Sequence, residues 1–262
     1  MERVILLTFD LEEFDLPLEY NIEINQQTQL DISTKGLKNL LDVLKRNKVV
    51  ATFFTTAYYA ENNISLIQEL ISDGHEIASH FYYHSDYNPS HILQSKLKLE
   101  EITNQKVAGI RIPRLRKTDI NLIKDAGYLY DSSLNPTFLP GRYNNFFKPR
   151  TLFTDSGTNL FILPFSVSPV IRVPLFWLTF KNISYQIFIF LCMQTIQKDS
   201  YLHLYFHPWE FTDLSDFKIP SYIKRKSGKK MIDRLDNFIK LMKGRGKFVT
   251  IVQYLHEKEK IM

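Results

Sequence analysis

The stretch HEIASHFYYH, residues 75–84, holds three histidines within ten positions. His80 and His84 are four apart, so on one turn of helix both imidazoles would face the same way and could meet at a single ion. His75 falls in the strand-like run before them, where core packing or a surface position explains it as well. A zincin site needs a glutamate directly after its first histidine to serve as general base, and Phe81 stands there instead. If the pair holds a metal, the third ligand and the base must come from elsewhere in the chain. On this stretch alone, two loop or helix histidines are as good an explanation as a site.

The elements that would position such a pair can be read along the chain. With 262 residues, 44% hydrophobic and 14% aromatic, there is apolar material for one sizeable core, which excludes a disordered chain and predicts a single domain over 1–262. Apolar runs of strand length alternate with segments of helical period. RVILLTF (3–9) reads as a strand, and 33–47 as a helix behind a Ser/Thr cap with Leu37, Leu40, Leu41 and Leu44 on one face. The rhythm continues with a strand at 49–55, a helix at 62–74 closed by Gly74, the strand HEIAS, a helix over SHILQSKLKLEEITNQ, the strand VAGIRI and a helix ending at Gly127. Between about 132 and 180 it breaks into Pro-punctuated aromatic segments, with 161–167 the clearest strand. A helix near 182–197, the strand YLHLYFH (201–207), a helix near 228–243, the strand KFVTIV and a short terminal helix follow. The repeated βα pattern predicts an α/β fold, an irregular (β/α) barrel.

Composition also narrows the setting. Cys192 is the only cysteine, so no intramolecular disulfide can form. The apolar run before Asp10 is too short for a signal-peptide core, which makes a cytoplasmic location the expectation. Residues 170–193 are aromatic-rich but interrupted by Arg172, Pro174, Lys181, Asn182 and Gln186. They read as a core segment or as a surface resting peripherally on the inner face of a membrane, not as a span. The net charge of +5 gathers in 224–230 and 243–247. These are solvated loops, or clusters suited to anionic headgroups or an acidic glycan. No nucleic-acid motif accompanies the charge, so nucleic acid is not an expected partner. Oligomeric state is not legible.

In a parallel barrel, functional side chains gather where strands end. Those ends supply Asp10 and Glu12, His80 and His84, Arg111, Asp131 and His207. Asp10 and Glu12 are two apart, so both project to one side of an extended chain, and one can bind a cation while the other accepts a proton. Two histidines and a carboxylate leave positions open for water and substrate, as catalytic metal sites do. Arg111 can clamp a carboxylate such as Asp10. His207, left at a strand end by Pro208, sits where a general acid is needed.

The order TFD-x-E, SH-x-x-x-H, R-x-P and a late strand ending in HPWE resembles the polysaccharide deacetylase, or NodB-homology, family of metal-dependent carbohydrate esterases, and does so from Thr8 to the HPWE strand and the helix after it. The resemblance implies an irregular barrel of about seven strands and removal of an N-acyl, sometimes O-acyl, group from a sugar. It implies Asp10 as general base, His80 and His84 as metal ligands, Arg111 as the residue orienting the base, and His207 as general acid. The first motif departs from the adjacent aspartates common in the family. Its spaced acidic residues resemble the branch with exopolysaccharide-associated deacetylases and lipid-linked aminosugar deformylases. Glu12 is therefore assigned as third ligand, with Glu13 the alternative. Arg114 replaces the aromatic residue often found after the proline that Pro113 matches. A fourth motif is not evident: Asp131 is a candidate, and Glu210, beside Trp209 in HPWE, could instead orient His207. Zinc is the first choice of metal, with Co, Ni or Fe suited to the same ligands. The implied role is an N-deacetylase acting on a glycan or lipid-linked saccharide of exopolysaccharide or cell-envelope biosynthesis. A deformylase of a lipid-linked aminosugar, a non-catalytic carbohydrate-binding relative and an unrelated structural α/β domain are the alternatives.

Overall fold

The segment VILLTFDL forms β1 (Val4–Leu11), and all eight of its residues are buried. A continuous apolar run of this kind needs cover on both faces, and a computed structural model describing residues 2–258 supplies it. Met1 and residues 259–262, the ends of the single domain expected over 1–262, lie outside the described residues. After β1 come α1 (Gln26–Asn47), β2 (Thr52–Thr55), α2 (Ala57–Asn62), α3 (Ile64–Ser72), β3 (Glu76–Ser79), α4 (His91–Thr103), β4 (Gly109–Ile110), α5 (Ile120–Asp125) and β5 (Tyr130–Asp131). An irregular stretch holds the short strands β6 (Phe138–Leu139), β7 (Tyr143–Asn144), β8 (Phe153–Thr154) and β9 (Phe161–Ile162). The chain ends with α6 (Trp177–Asn182), α7 (Tyr185–Asp199), β10 (Tyr201–Phe206), α8 (Ser221–Lys224), α9 (Lys229–Met242), β11 (Lys247–Phe248) and α10 (Ile251–Glu257).

The main sheet runs β10-β1-β2-β3-β4-β5-β9-β8. Its strands are parallel from β10 to β9, and β8 alone is antiparallel. The sheet curls, and the chain after β9 meets β10 again: Ser166 donates its N–H to His203 O (3.0 Å), and the His203 N–H donates to Ser166 Oγ (2.8 Å). This is the expected (β/α) barrel, with irregular closure where Pro164 removes a ladder donor.

Strand alternation explains what faces the barrel axis. Ile5, Leu7, Phe9 and Leu11 belong to the core under the helices, whereas Val4 and Leu6 pack inside with Phe54, Ala78, Tyr130, Tyr201 and Leu255. Continuing the same parity gives Thr8 and Asp10 on β1 with Glu12 just past its end, and His203 and Tyr205 on β10 with His207 just past its end. The interior is apolar below and polar at the carboxyl ends of the strands.

Several element boundaries differ from expectation. Helix α1 begins at Gln26, not near 33, because the Asn25 side chain accepts from the Thr28 N–H (2.8 Å), while Ser33 lies inside the helix and donates to Glu12 O (2.6 Å). The helix expected over 62–74 is α3, closed by Gly74 at φ 83°, and a separate short helix, α2, precedes it and ends at Asn62. KFVTIV is a strand only at Lys247–Phe248, since Thr250 caps α10 through Gln253 N–H.

Gly36 on α1 lets that helix lie against the turn Pro208–Phe211, since a Cβ there would sit 2.0 Å from Pro208 O. Gly36→Ala is expected to cost about 1–3 kcal/mol through overpacking. Because Pro208 follows His207, turnover should fall as well. Urea denaturation read beside activity checks both.

Candidate active site

The polar end of the barrel opens into a cavity of about 220 Å³ lined by Asp10, Glu12, Asp15, His80, His84, Arg114, Tyr143, Trp177, Tyr205, His207 and Trp209, among others. Glu12 lies at its centre. Its Oε2 is 3.1 Å from His80 Nε2 and 3.1 Å from His84 Nε2, and its Oε1 accepts from Trp209 Nε1 (3.2 Å). Burial works to raise the Glu12 pKa, but the His84, His207 and His80 imidazoles outweigh it and hold the carboxyl well below the usual range.

His80 and His84 converge, though not as a helical pair. They stand in the loop after β3, where Phe81 takes a left-handed conformation (φ 73°) and turns the chain so that the two rings lie 5.6 Å apart, inclined by 23°. Each ring is fixed from behind. His80 Nδ1 donates to Arg111 O (2.9 Å), and His84 Nδ1 meets Asp15 Oδ1 at 2.8 Å. With both Nδ1 atoms engaged, the Nε2 atoms face Glu12. For His84, burial lowers the pKa, but Glu12 and Asp15 raise it further, to about 9. Glu12, His80 and His84 each offer a ligand atom within 4.8 Å of the others. Two imidazole nitrogens with their outer hydrogen bonds in place and one carboxylate form a donor set that fits a divalent metal.

Glu13 is turned elsewhere: it accepts from Thr56 Oγ1 (2.6 Å), and burial pushes its pKa up. Between the two candidates for third ligand, the geometry favours Glu12.

Asp10 is clamped through Oδ1 by Arg111 Nη1, and its Oδ2 lies 4.0 Å from His207 Nε2. Arg111 is fully buried. It also donates to Thr8 Oγ1 (3.0 Å), Ser132 Oγ (3.0 Å) and Ser132 O (3.1 Å), and its guanidinium lies between Phe54 and Phe165, 3.8 and 4.5 Å from their ring centres. A planar cation in that slot has little freedom, so the Asp10 carboxylate is held in one orientation.

His207 stacks on Trp209 (4.7 Å, 19°) and meets the edge of Trp177 at 5.1 Å. Glu210 accepts from the His207 backbone N–H (2.8 Å) and lies 3.2 Å from its Nδ1, leaving Nε2 toward the cavity. Burial lowers the His207 pKa, but Glu12 and Glu210 raise it more, so the net shift is upward. Asp131, the other candidate for orienting His207, is instead bonded to the Ser133 N–H and hydroxyl, and burial lifts its pKa to about 6.

Some participants escaped the sequence reading. Asp15 holds His84 and accepts from Arg114 Nη2 (3.3 Å), which explains the arginine after Pro113: Pro113 opens a tight turn, and Arg114 and Leu115 take positive φ. Lys181 is fully buried, 3.1 Å from Glu210 Oε2, and donates to Ile223 O (2.7 Å). Removing either member of such a pair leaves a buried charge without compensation. The spacing of D-x-E-x-x-D could have marked Asp15, but nothing local marked Lys181.

His75 is a core residue. Its Nδ1 accepts from the Ala51 N–H (3.1 Å), and burial lowers its pKa to about 4. The unfolded chain therefore takes up this proton first as pH falls, so stability should decline by up to about 3 kcal/mol between pH 6.5 and 4 and then level off. Guanidinium denaturation across that window should show a shallower decline in His75→Gln than in the parent, the remainder belonging to His203, whose pKa burial also lowers.

The profile of the family described as "Polysaccharide deacetylase" matches residues 1–130. Among curated proteins, the chain is 31% identical over 72 residues to the peptidoglycan-N-acetylmuramic acid deacetylase PdaA of Bacillus subtilis, covering 27% of this chain and 27% of the relative. It is 42% identical over 48 residues to a chitooligosaccharide deacetylase of a Bradyrhizobium strain, covering 18% of this chain and 22% of that one. These alignments span no more than 27% of either relative. Among solved structures, a putative polysaccharide deacetylase from Mycobacterium smegmatis superposes with a TM-score of 0.67 at 19% identity, over 99% of this chain and 91% of that one. The Puue allantoinase superposes with the same score at 15% identity, over 99% of this chain and 92% of the other. At such identities the likeness concerns the fold.

Proposed function

We propose, from the premise that the chain belongs to the polysaccharide deacetylase family, that it is a metal-dependent hydrolase that removes an N-acetyl group from an aminosugar. The observation that carries this reading is the opposition of two proton-handling groups across one cavity. Asp10 Oδ2 and His207 Nε2 lie 4.0 Å apart, with Glu12 and its two histidines beside them. Glu12, His80 and His84 would hold the metal, with zinc the first choice. When bound, it supplies Lewis acidity toward the amide carbonyl and the reacting water.

The chain's own groups do the rest. Asp10, oriented by Arg111, takes the proton of the attacking water. His207, carrying its proton at Nε2 and braced at Nδ1 by Glu210, delivers it to the leaving amine. Trp177, Tyr205 and Trp209 form an aromatic wall suited to a sugar face. A non-catalytic carbohydrate-binding relative would need neither Asp10 nor His207, and both are present.

The test joins metal analysis to detection of released acid on a panel of N-acetyl and N-formyl aminosugars, free and lipid-linked. Acetate released in a chelator-sensitive way supports the reading, and formate alone would move it to a deformylase. No acid from any member, with metal bound, would overturn it.

A further inference from the structure

The aromatic stretch singled out in the sequence is not one continuous exposed face, although Ile187 and Phe190 on α7 are 54% and 59% exposed. Phe180 and Phe188 are buried in the core, and Phe176 and Trp177 line the cavity. Lys224 and Lys226 in the basic cluster are tied to backbone carbonyls. A more exposed apolar surface lies at the very start of the 170–193 segment and on a neighbouring loop. Phe147, Val170 and Ile171 are 90%, 84% and 68% exposed, the highest values among the large hydrophobic residues described.

These three residues occupy two neighbouring loop tips. The bond from Ser168 N–H to Val173 O (2.9 Å) closes a hairpin with Val170 and Ile171 at its apex. Arg172 fastens that hairpin to the loop bearing Phe147 by donating to Lys148 O (2.9 Å) and Pro136 O (3.0 Å). Segments 136–150 and 164–176 contain four basic residues and no acidic one. Of the four, Arg150 is paired with Asp199, and Arg142, Lys148 and Arg172 form no ion pair among the described residues. Arg142 also lines the active cavity, so the charged loops and the mouth share the β6–β7 hairpin.

We infer that these loop tips are a docking surface for an anionic lipid bilayer: Phe147, Val170 and Ile171 enter the headgroup boundary while Arg142 and Lys148 meet lipid phosphates. Protruding apolar side chains ringed by cations are the arrangement that interfacial binding requires, and the two segments carry no acidic residue of their own to oppose it, the neighbouring Asp199 being paired with Arg150. Resting on the function proposed above, this assigns the substrate as an aminosugar presented at a membrane surface.

The test is co-sedimentation of the full chain with phosphatidylcholine vesicles, with and without phosphatidylglycerol, over a range of salt. Binding is expected only with the anionic vesicles and should weaken as salt rises. The triple variant Phe147→Ser/Val170→Ser/Ile171→Ser should bind about tenfold less, and Lys230→Glu, on another surface, should bind like the parent. Parent protein that sediments with neither vesicle, or a triple variant that binds like the parent, would overturn the inference. So would a dimer in light scattering that the triple variant dissolves. Acid release from a soluble aminosugar, measured on the same preparations, separates the two readings. Release without vesicle binding sinks only the docking surface, and vesicle binding without release sinks only the hydrolase.

Discussion

Asp10→Asn is expected to lower turnover by about 10²–10⁴-fold, the contribution of a positioned general base, while metal content stays at the parent level. The carboxylate lies outside the Glu12, His80 and His84 group, and its free oxygen faces His207 rather than the histidine pair. An asparagine preserves shape and can still accept from Arg111, but it has no basic oxygen to take a proton from water. The cost to the fold should be bounded, because the buried Arg111 keeps Thr8 Oγ1, Ser132 Oγ and Ser132 O as acceptors. The loss should therefore appear in kcat, with KM little changed. Steady-state kinetics beside metal analysis decides it. If Asp10→Asn releases the metal, the two acidic residues of the first motif have exchanged roles.

Much of this arrangement was legible because alternation in a strand is rigid. The parity that puts Val4 and Leu6 inside the barrel also carries Asp10 and Glu12 there, and Tyr201 and His203 lead in the same way to His207. The convergence of His80 and His84 was anticipated on a helical argument, yet a loop achieves it, turned by the positive φ of Phe81. Spacing constrains which residues can meet, not which backbone brings them together. Lys181 and Asp15 were harder to see, since their partners Glu210 and His84 are 29 and 69 positions away and only the closed barrel brings them into contact. The short strands after β5 were also poorly legible. Each has two residues, too few to show a period, and they lie among prolines that interrupt any ladder.

His80→Ala should abolish metal binding and turnover together, and comparison with Asp15→Asn makes that result interpretable. In the proposed site His80 would supply one of three ligand atoms, and its ring is fixed in advance by the bond from Nδ1 to Arg111 O, so alanine removes a donor that needs no reorganisation to bind. Two protein ligands would remain, too few for the three-ligand site of a catalytic zinc. Asp15 touches only the far side of His84. Replacing it by asparagine leaves all three ligands but weakens the hold on the His84 tautomer, so metal affinity should fall by about 10–100-fold rather than vanish. Titration calorimetry with zinc and with cobalt on stripped protein measures both variants without recourse to a substrate. Parent-like stoichiometry in His80→Ala would move the metal away from these three residues. Unchanged affinity in Asp15→Asn would reduce Asp15 to a partner of Arg114. The expected order is parent, then Asp15→Asn, then His80→Ala, because a lost orienting bond leaves the ligand lone pair available and a lost ligand does not.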